Sequence, residues 1–389
     1  MQSWLNKANI YFFAWCIYGF QEIILSKGTI LTQLLLMILL MVSLYYAFIA
    51  NTRYKLPVYF VGLNLLICML SVYGLYLMIG GYNSADYTKQ VDSFSYLKGI
   101  LISLMPIYPF YVFSKDGLIN KKVISIYFMV LFALTIAGFY KNYQQQLYLS
   151  ILMGANAEEF TNNKGYAFAW LIPFCVFLNK KPLLQYASLV VCLLFIFMSM
   201  KRGAVVVGAL SVVWFLWNNL KSVSFKKKIG VLTISTVLCF VGYLYIDKQM
   251  QKSLLFQKRV ENTLEGNSSG RDMLYTRFAD YFWNETTPLQ FILGSGANAT
   301  LKVGKNYAHN DWLELAVNQG LLGIVVFIVY WILFFKTVFS KQFGENEKLV
   351  LQLILLVSFL RTFFSMSYGS MGFIPMLALG FCLSKENEK

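Results

Sequence analysis

What constrains this chain most is a succession of apolar runs of membrane-crossing length, about twelve of them in 389 residues. A hydrocarbon core of about 30 Å takes roughly 20 apolar residues as a helix, because lipid offers no partner to an unpaired backbone amide. Runs at about 10–25, 30–50, 56–79, 97–113 and 123–139 meet that requirement or nearly so. Seven more follow at about 166–178, 183–200, 204–217, 229–246, 320–339, 349–364 and 369–383. The shorter ones need flanking Tyr, Trp and Lys residues to complete a crossing, or are broken. The expectation is an all-α polytopic membrane protein of about twelve transmembrane helices with one large extracytoplasmic loop. Nine helices fall in 1–246, the loop in 247–308, and three helices in 309–389, where a motif-bearing helix comes first. With 58% hydrophobic and 13% charged residues and a mean hydropathy of +0.58, a soluble domain of this size would have to display very large apolar patches. Gln21, Glu22 and Gln33 interrupt the first 50 residues and no small-residue cleavage site follows them, so the first span is expected to stay. The six cysteines lie far apart in apolar spans without C-x-x-C spacing and read as small core hydrophobes.

A formal charge of +15 could suggest nucleic acid, but its distribution follows topology. With a cytoplasmic N-terminus, 17 Lys and Arg fall in inside segments and 7 in the short outside loops, as the positive-inside rule requires. Nucleic acid is not needed to explain the charge. The large outside segment begins with turn material at 265–270, and from Asp272 to Trp283 it spaces Met273, Phe278, Tyr281 and Phe282 as one apolar helix face. A second turn, Leu293-Gly-Ser-Gly-Ala-Asn, follows. Two further outside segments, 80–96 and 140–165, read as short loops or caps, and no internal repeat is evident.

The loop re-enters the apolar region through Tyr307-Ala-His-Asn-Asp-Trp-Leu-Glu-Leu-Ala-Val-Asn-Gln-Gly320, which holds the chain's single histidine, His309. If Asn310 starts a helix, Trp312, Leu313, Ala316 and Val317 share one side while Asp311, Glu314 and Asn318 line the other. His309 then stands at the positive end of the helix dipole, which disfavours imidazolium and suits a neutral base. The bland alternative is a polar residue satisfied at a membrane interface. A second candidate is Met200-Lys201-Arg202-Gly203-Ala204, whose two cations on the outer side run against the topological bias. Either they snorkel to the interface, or Arg202 grips a phosphate bidentately. The third is Ser269-Gly270-Arg271-Asp272 with Arg277 beyond it, a helix start suited to an anion, or else solvated arginines paired with Asp272 or Asp280. Arg361 lies in the penultimate span, where a central charge costs about 2.5–3.5 kcal/mol and must face the interior.

The chain contains no H-E-x-x-H, D-x-D, Walker loop or G-x-S-x-G, and one histidine cannot build a multi-histidine metal site. The expected chemistry therefore uses no metal and no cofactor. One base and several arginines on one side of a membrane suit displacement of a diphosphate by a hydroxyl.

Arg202 at a span end, Ser-Gly-Arg271 in the long loop, and Ala-His309-Asn-Asp-Trp-Leu followed by Asn-Gln-Gly-Leu-Leu-Gly together resemble the O-antigen ligase and O-antigen polymerase superfamily over about 183–339. Lys201 before the arginine departs from that pattern. The resemblance implies an undecaprenyl-diphosphate-linked glycan as donor and lipid A core or a nascent glycan as acceptor. It also implies an inverting transfer on the extracytoplasmic face of the bacterial inner membrane, in lipopolysaccharide or other cell-surface polysaccharide biosynthesis. His309 would be the base, Arg202 and Arg271 the diphosphate ligands, with Lys201, Arg277, Asn310, Asp311 and Arg361 as secondary candidates. Ligase and repeat-unit polymerase share this donor chemistry. A twelve-span transporter or flippase is the rival from another class, and it would show two similar halves with broken or charged helices at the midplane.

Overall fold

The computed structural model describes residues 6–25, 28–80, 93–153, 162, 164–199, 201–221, 230, 233, 244, 247, 270–365, 368 and 372–386. Met200, Ser269, the turn at 265–269 and all but three residues of the span expected at 229–246 lie outside them, as do parts of the segments expected at 80–96 and 140–165. The described residues form helices and turns, without a strand among them. Among the described residues, five helical stretches are long and apolar enough to cross a membrane: Ile30–Arg53, Tyr59–Ile79, Phe94–Lys115, Lys121–Gln145 and Asp311–Val338. Gly165–Leu178, Pro182–Met198 and Phe373–Ser384 are apolar but shorter.

The chain divides into two compact units, 1–127 with 270–389, and 128–269. In the first, α1 (Lys7–Gly19) is capped by the Asn6 side chain, which accepts from Asn9 N at 2.9 Å. Helix α2 (Ile30–Arg53) buries Leu36, Leu39, Leu40 and Ser43 and turns Ile30, Leu31, Met37, Ile38 and Met41 outward, a face that fits lipid and not water. Helix α3 (Tyr59–Ile79) packs along the long α13 (Asp311–Val338), where a Cβ on Gly62 would meet the Tyr330 backbone at 3.0 Å. The run expected as one span at 97–113 lies within the stretch Phe94–Lys115, whose helix is interrupted into α4 (Ser93–Leu104) and α5 (Ile107–Lys115), because Pro106 has no N–H to continue the ladder. Every residue of α5 from Ile107 to Ser114 is buried, and α15 (Phe373–Ser384) approaches so closely that a Cβ on Gly380 would lie 2.8 Å from Tyr111 N.

The described part of the segment expected outside, 247–308, is mostly helical: α10 (Arg271–Asp280), a π turn at Tyr281–Glu285, α11 (Pro288–Leu293) and α12 (Ala299–Gly304). Phe278 and Phe282 are buried as the apolar spacing requires, whereas Met273 is 75% exposed and belongs to the outer face. Helix α14 (Glu345–Phe364) follows α13.

The second unit takes up α6 (Lys121–Met153) beyond Tyr127, with α7 (Gly165–Leu171), a 3-10 turn at Ile172–Leu178, α8 (Pro182–Met198) and α9 (Arg202–Lys221). The run expected at 166–178 changes from α to 3-10 helix at Ile172, directly before Pro173, which has no N–H to continue the α ladder. Phe168 and Phe195 stack at 4.7 Å between α7 and α8.

Candidate active site

The histidine motif forms the first segment of α13, from Asp311 to Gln319, and the run expected as a span from Gly320 follows it across a kink, where Gly320 is non-helical at φ 65° and ψ −155°. Asn310 is the cap. Its Oδ1 accepts from Trp312 N at 2.9 Å and Leu313 N at 3.2 Å, satisfying two of the helix's orphan donors. His309 precedes the cap with φ 53°, one of three non-glycine residues in the left-handed region among those described. Such a conformation costs of order 1 kcal/mol or more and persists only where its surroundings fix it.

What fixes it is Glu314. The expectation of a polar side at Asp311, Glu314 and Asn318 holds for the side chains' direction but not for their environment, since all three are fully buried. Glu314 Oε2 accepts from Ala308 N at 2.9 Å, while Oε1 accepts from the Thr300 hydroxyl and from Asn318 Nδ2 at 3.2 Å. Asn318 Oδ1 in turn accepts from Thr300 N at 3.2 Å, so the strand of loop from α12 to His309 is laced to the first two turns of α13. A buried carboxylate is tolerated only when its acceptor capacity is used in this way. Phe278, Ala299, Ala308 and Val317 pack beneath as an apolar floor that joins α10 and α12 to α13.

The Gly-Ser-Gly turn closes the far side. Ser295 N and Gly296 N donate to Val317 O and Asn318 O, each at 2.9 Å. A Cβ on Gly294 would stand 2.3 Å from Asn318 O, and one on Gly320 2.4 Å from Gly294 N, so two glycines with positive φ cross where no side chain fits.

The last turn of α14 gathers the remaining candidates of this unit. Arg271 opens α10 after Gly270 and donates one N–H to Phe364 O at 3.2 Å. Trp312 Nε1 donates to Thr362 Oγ1 at 3.0 Å, and Tyr275 Oη donates to Phe363 O at 3.5 Å. Arg361 is buried, but it stands in the last turn of α14 and not mid-span, where the helix's negative end favours a cation. Arg277 is engaged otherwise. Its guanidinium makes a two-pronged pair with Glu285, one contact at 3.1 Å, and reaches Asp280 at 4.0 Å. Glu285 raises its already high pKa further.

Lys201 and Arg202 belong to the other unit. Lys201 N donates to Ser199 Oγ at 3.3 Å and its ammonium lies 5.3 Å from the Tyr166 ring centre, while Arg202 is the half-buried first residue of α9. Asn162 braces this hairpin by donating its N–H to Ser199 O at 2.9 Å.

Sequence reasoning brings out His309, Asn310 and Arg271 but misses Glu314 and Thr300 as the groups that hold the histidine turn. Only a fully buried glutamate five residues after a lone histidine could have signalled it, and burial is not written in the residue type.

Residues 187–328 match the family model described as O-antigen ligase. The match runs from α8 to the middle of α13 and therefore contains Lys201, Arg202, Arg271, Arg277, His309, Asn310, Asp311 and Glu314, but not Arg361. No curated protein and no solved structure matches the chain.

Proposed function

Taking this chain as an O-antigen ligase-related membrane protein, we propose that it transfers a glycan from undecaprenyl diphosphate to an acceptor sugar, with lipid A core as the acceptor. About twelve spans would carry it in the bacterial inner membrane, with the His309 turn on the extracytoplasmic face. The observation that supports this reading is the left-handed His309, standing at a helix mouth inside the family-matched region and backed by a buried carboxylate that locks its backbone.

In the proposed step the acceptor hydroxyl oxygen attacks the anomeric carbon from the face opposite the diphosphate. The C–O bond to the diphosphate breaks, the hydroxyl proton passes to the His309 imidazole, and the configuration inverts. Negative charge grows on the departing diphosphate, and a planar arginine fork matches two of its oxygens better than an ammonium does. Arg271 and Arg202 are assigned that role. The Arg277 fork is filled by Glu285 and is assigned to the loop's own structure.

The test is transfer in reconstituted membranes with an undecaprenyl-diphosphate-linked donor. Arg202→Lys and Arg271→Lys should each lose most of the rate at unchanged net charge, and the double variant should depart from the sum of the singles, as contacts to one ligand do. Full activity in both lysine variants, or strict additivity, removes the shared diphosphate. Activity should also persist in EDTA. Loss that magnesium or manganese restores removes the metal-free mechanism. In a deletion strain, accumulation of finished lipid-linked polymer assigns the ligase step, and accumulation of single repeat units the polymerase step.

A further inference from the structure

At the other end of α13 the first unit holds a cleft of about 560 Å³ that the transfer chemistry does not use. Its place follows from two contacts of α3. Tyr59 N donates to Thr337 Oγ1 at 3.1 Å, near the C-terminus of α13, whereas Tyr73 Oη donates to Leu293 O beside the Gly294–Gly320 crossing. The cleft adjoins the first of these contacts, so the stretch of α3 from Tyr59 to Tyr73, about 20 Å at 1.5 Å per residue, separates it from the Gly294–Gly320 crossing.

Three cations line it: Arg53 at the last residue of α2, Lys55 in the α2–α3 link, and Lys115 at the last residue of α5. One acid, Glu386, faces them. Neighbouring Asp116 is already engaged, accepting from Tyr54 Oη at 2.6 Å and pairing with Lys7 at 3.4 Å. Among the described residues none of the three cations closes an ion pair within 4 Å. Arg53 and Lys55 are exposed and Lys115 is half-buried, and all three line one concavity where a topological excess of charge would need no convergence.

The cleft also opens onto lipid-facing surface. Val58, one of its lining residues, begins an exposed stripe on α3 that continues through Val61, Leu65 and Val72, and α2 exposes Met41, Tyr45 and Phe48 on the approach to Arg53. Cations at the head of two outward apolar stripes match a ligand with an anionic head and acyl chains.

We propose that this cleft binds the phosphate headgroup of an anionic phospholipid at the membrane face opposite the His309 turn. The shared chemistry is a phosphate among Arg53, Lys55 and Lys115. A lipid source is distinguished from a free anion by the apolar stripes.

The experiment titrates the purified full chain in detergent with short-chain phosphatidylglycerol, phosphatidylcholine and inorganic phosphate, reading bound species by native mass spectrometry. Phosphatidylglycerol should bind saturably and outcompete phosphatidylcholine. Removing the cations in Arg53→Gln/Lys55→Gln/Lys115→Gln should weaken it roughly a hundred-fold, at about five-fold per cation. Glu386→Gln, which only removes the opposing charge and serves should the triple variant fail to fold, should tighten binding by about two- to five-fold. Equal affinity for the two lipids, or phosphatidylglycerol binding unchanged in the variants, overturns the site. Inorganic phosphate that binds and displaces phosphatidylglycerol as well as the lipid itself does overturns the lipid assignment in favour of a soluble anion.

Discussion

The two halves of α13 meet at a kink, Gly320, and are two different materials by chemistry. Before Gly320, the buried set is Asp311, Glu314, Leu315, Ala316, Val317, Asn318 and Gln319, four of them polar or charged, and directional bonds to Thr300, Ala308 and Tyr96 hold it. After Gly320, the buried set is mostly aromatic, with Phe327, Tyr330, Trp331 and Phe334 stacked on one another, while Val325, Ile328, Ile332 and Phe335 face outward. The apolar half is held by packing, which tolerates small shifts. The polar half specifies position, at the cost of burying groups that lose free energy whenever a partner is missing. A helix that only needed to cross a membrane would have no use for the first arrangement. Its presence next to the lone histidine is the physical case for a site there.

The largest effect expected is on rate. His309→Ala should lower transfer by about 10²- to 10⁴-fold, the usual weight of a general base, with insertion and thermal melting in detergent unchanged. Wild-type transfer from a normally expressed variant would leave the polar half of α13 without its proposed purpose.

Next comes the group that holds the histidine. Glu314→Leu strands the Ala308 N–H, the Thr300 hydroxyl and the Asn318 amide without their acceptor, at about 1–3 kcal/mol each where no water enters. A loss of about 3 kcal/mol or more, together with transfer, is expected. Glu314→Gln, which keeps one carbonyl acceptor, should retain more of both. A Glu314→Leu protein with normal melting would mean that the laced loop contributes nothing.

Gly320→Ala should cost about 3 kcal/mol, from a left-handed residue gaining a Cβ and from contacts of 2.4–2.7 Å with the backbone of Gly294, Ile292 and Phe291. Backbone atoms cannot swing aside as a side chain tip can. Unfolding followed in detergent measures it, and a neutral result would show that the crossing is loose.

These three residues also mark what the sequence could and could not tell. The five apolar runs that became membrane-length helices, the cap at Asn310 and the burial of Phe278 and Phe282 are local signals, fixed by hydropathy and by the chemistry of an asparagine before a helix, and they read through to the structure. The breaks at Pro106 and Pro173 were open to the same reasoning, since proline lacks the donor a helix needs, yet hydropathy averages run straight across them. The start of a span at Gly320 is legible and appears as the kink in α13, but nothing local announces that another glycine, 26 positions earlier, crosses its backbone. The sequence places Glu314 only on the polar side of a helix and does not show its burial, because its donors come from Thr300 and Ala308 through tertiary folding. Arg277 had two nearby acids to choose from and pairs most closely with a third, Glu285, which the π turn carries round to it.

The smallest effect should come from the apolar half, and it is the control on the comparison. Tyr330 is buried, with its hydroxyl 3.3 Å from that of Tyr59 and its ring between Phe327 and Phe334. Tyr330→Phe keeps the ring and so keeps the packing. It removes one long hydroxyl contact between two neutral groups, worth about 0.5–1.5 kcal/mol, part of which returns because one fewer polar atom is buried. Stability should therefore fall by about 1 kcal/mol or less and transfer should stay within about two-fold of wild type. Ten-fold loss of transfer at unchanged melting would mean that the aromatic half also positions the chemistry, and that the division at Gly320 separates two kinds of packing but not two roles.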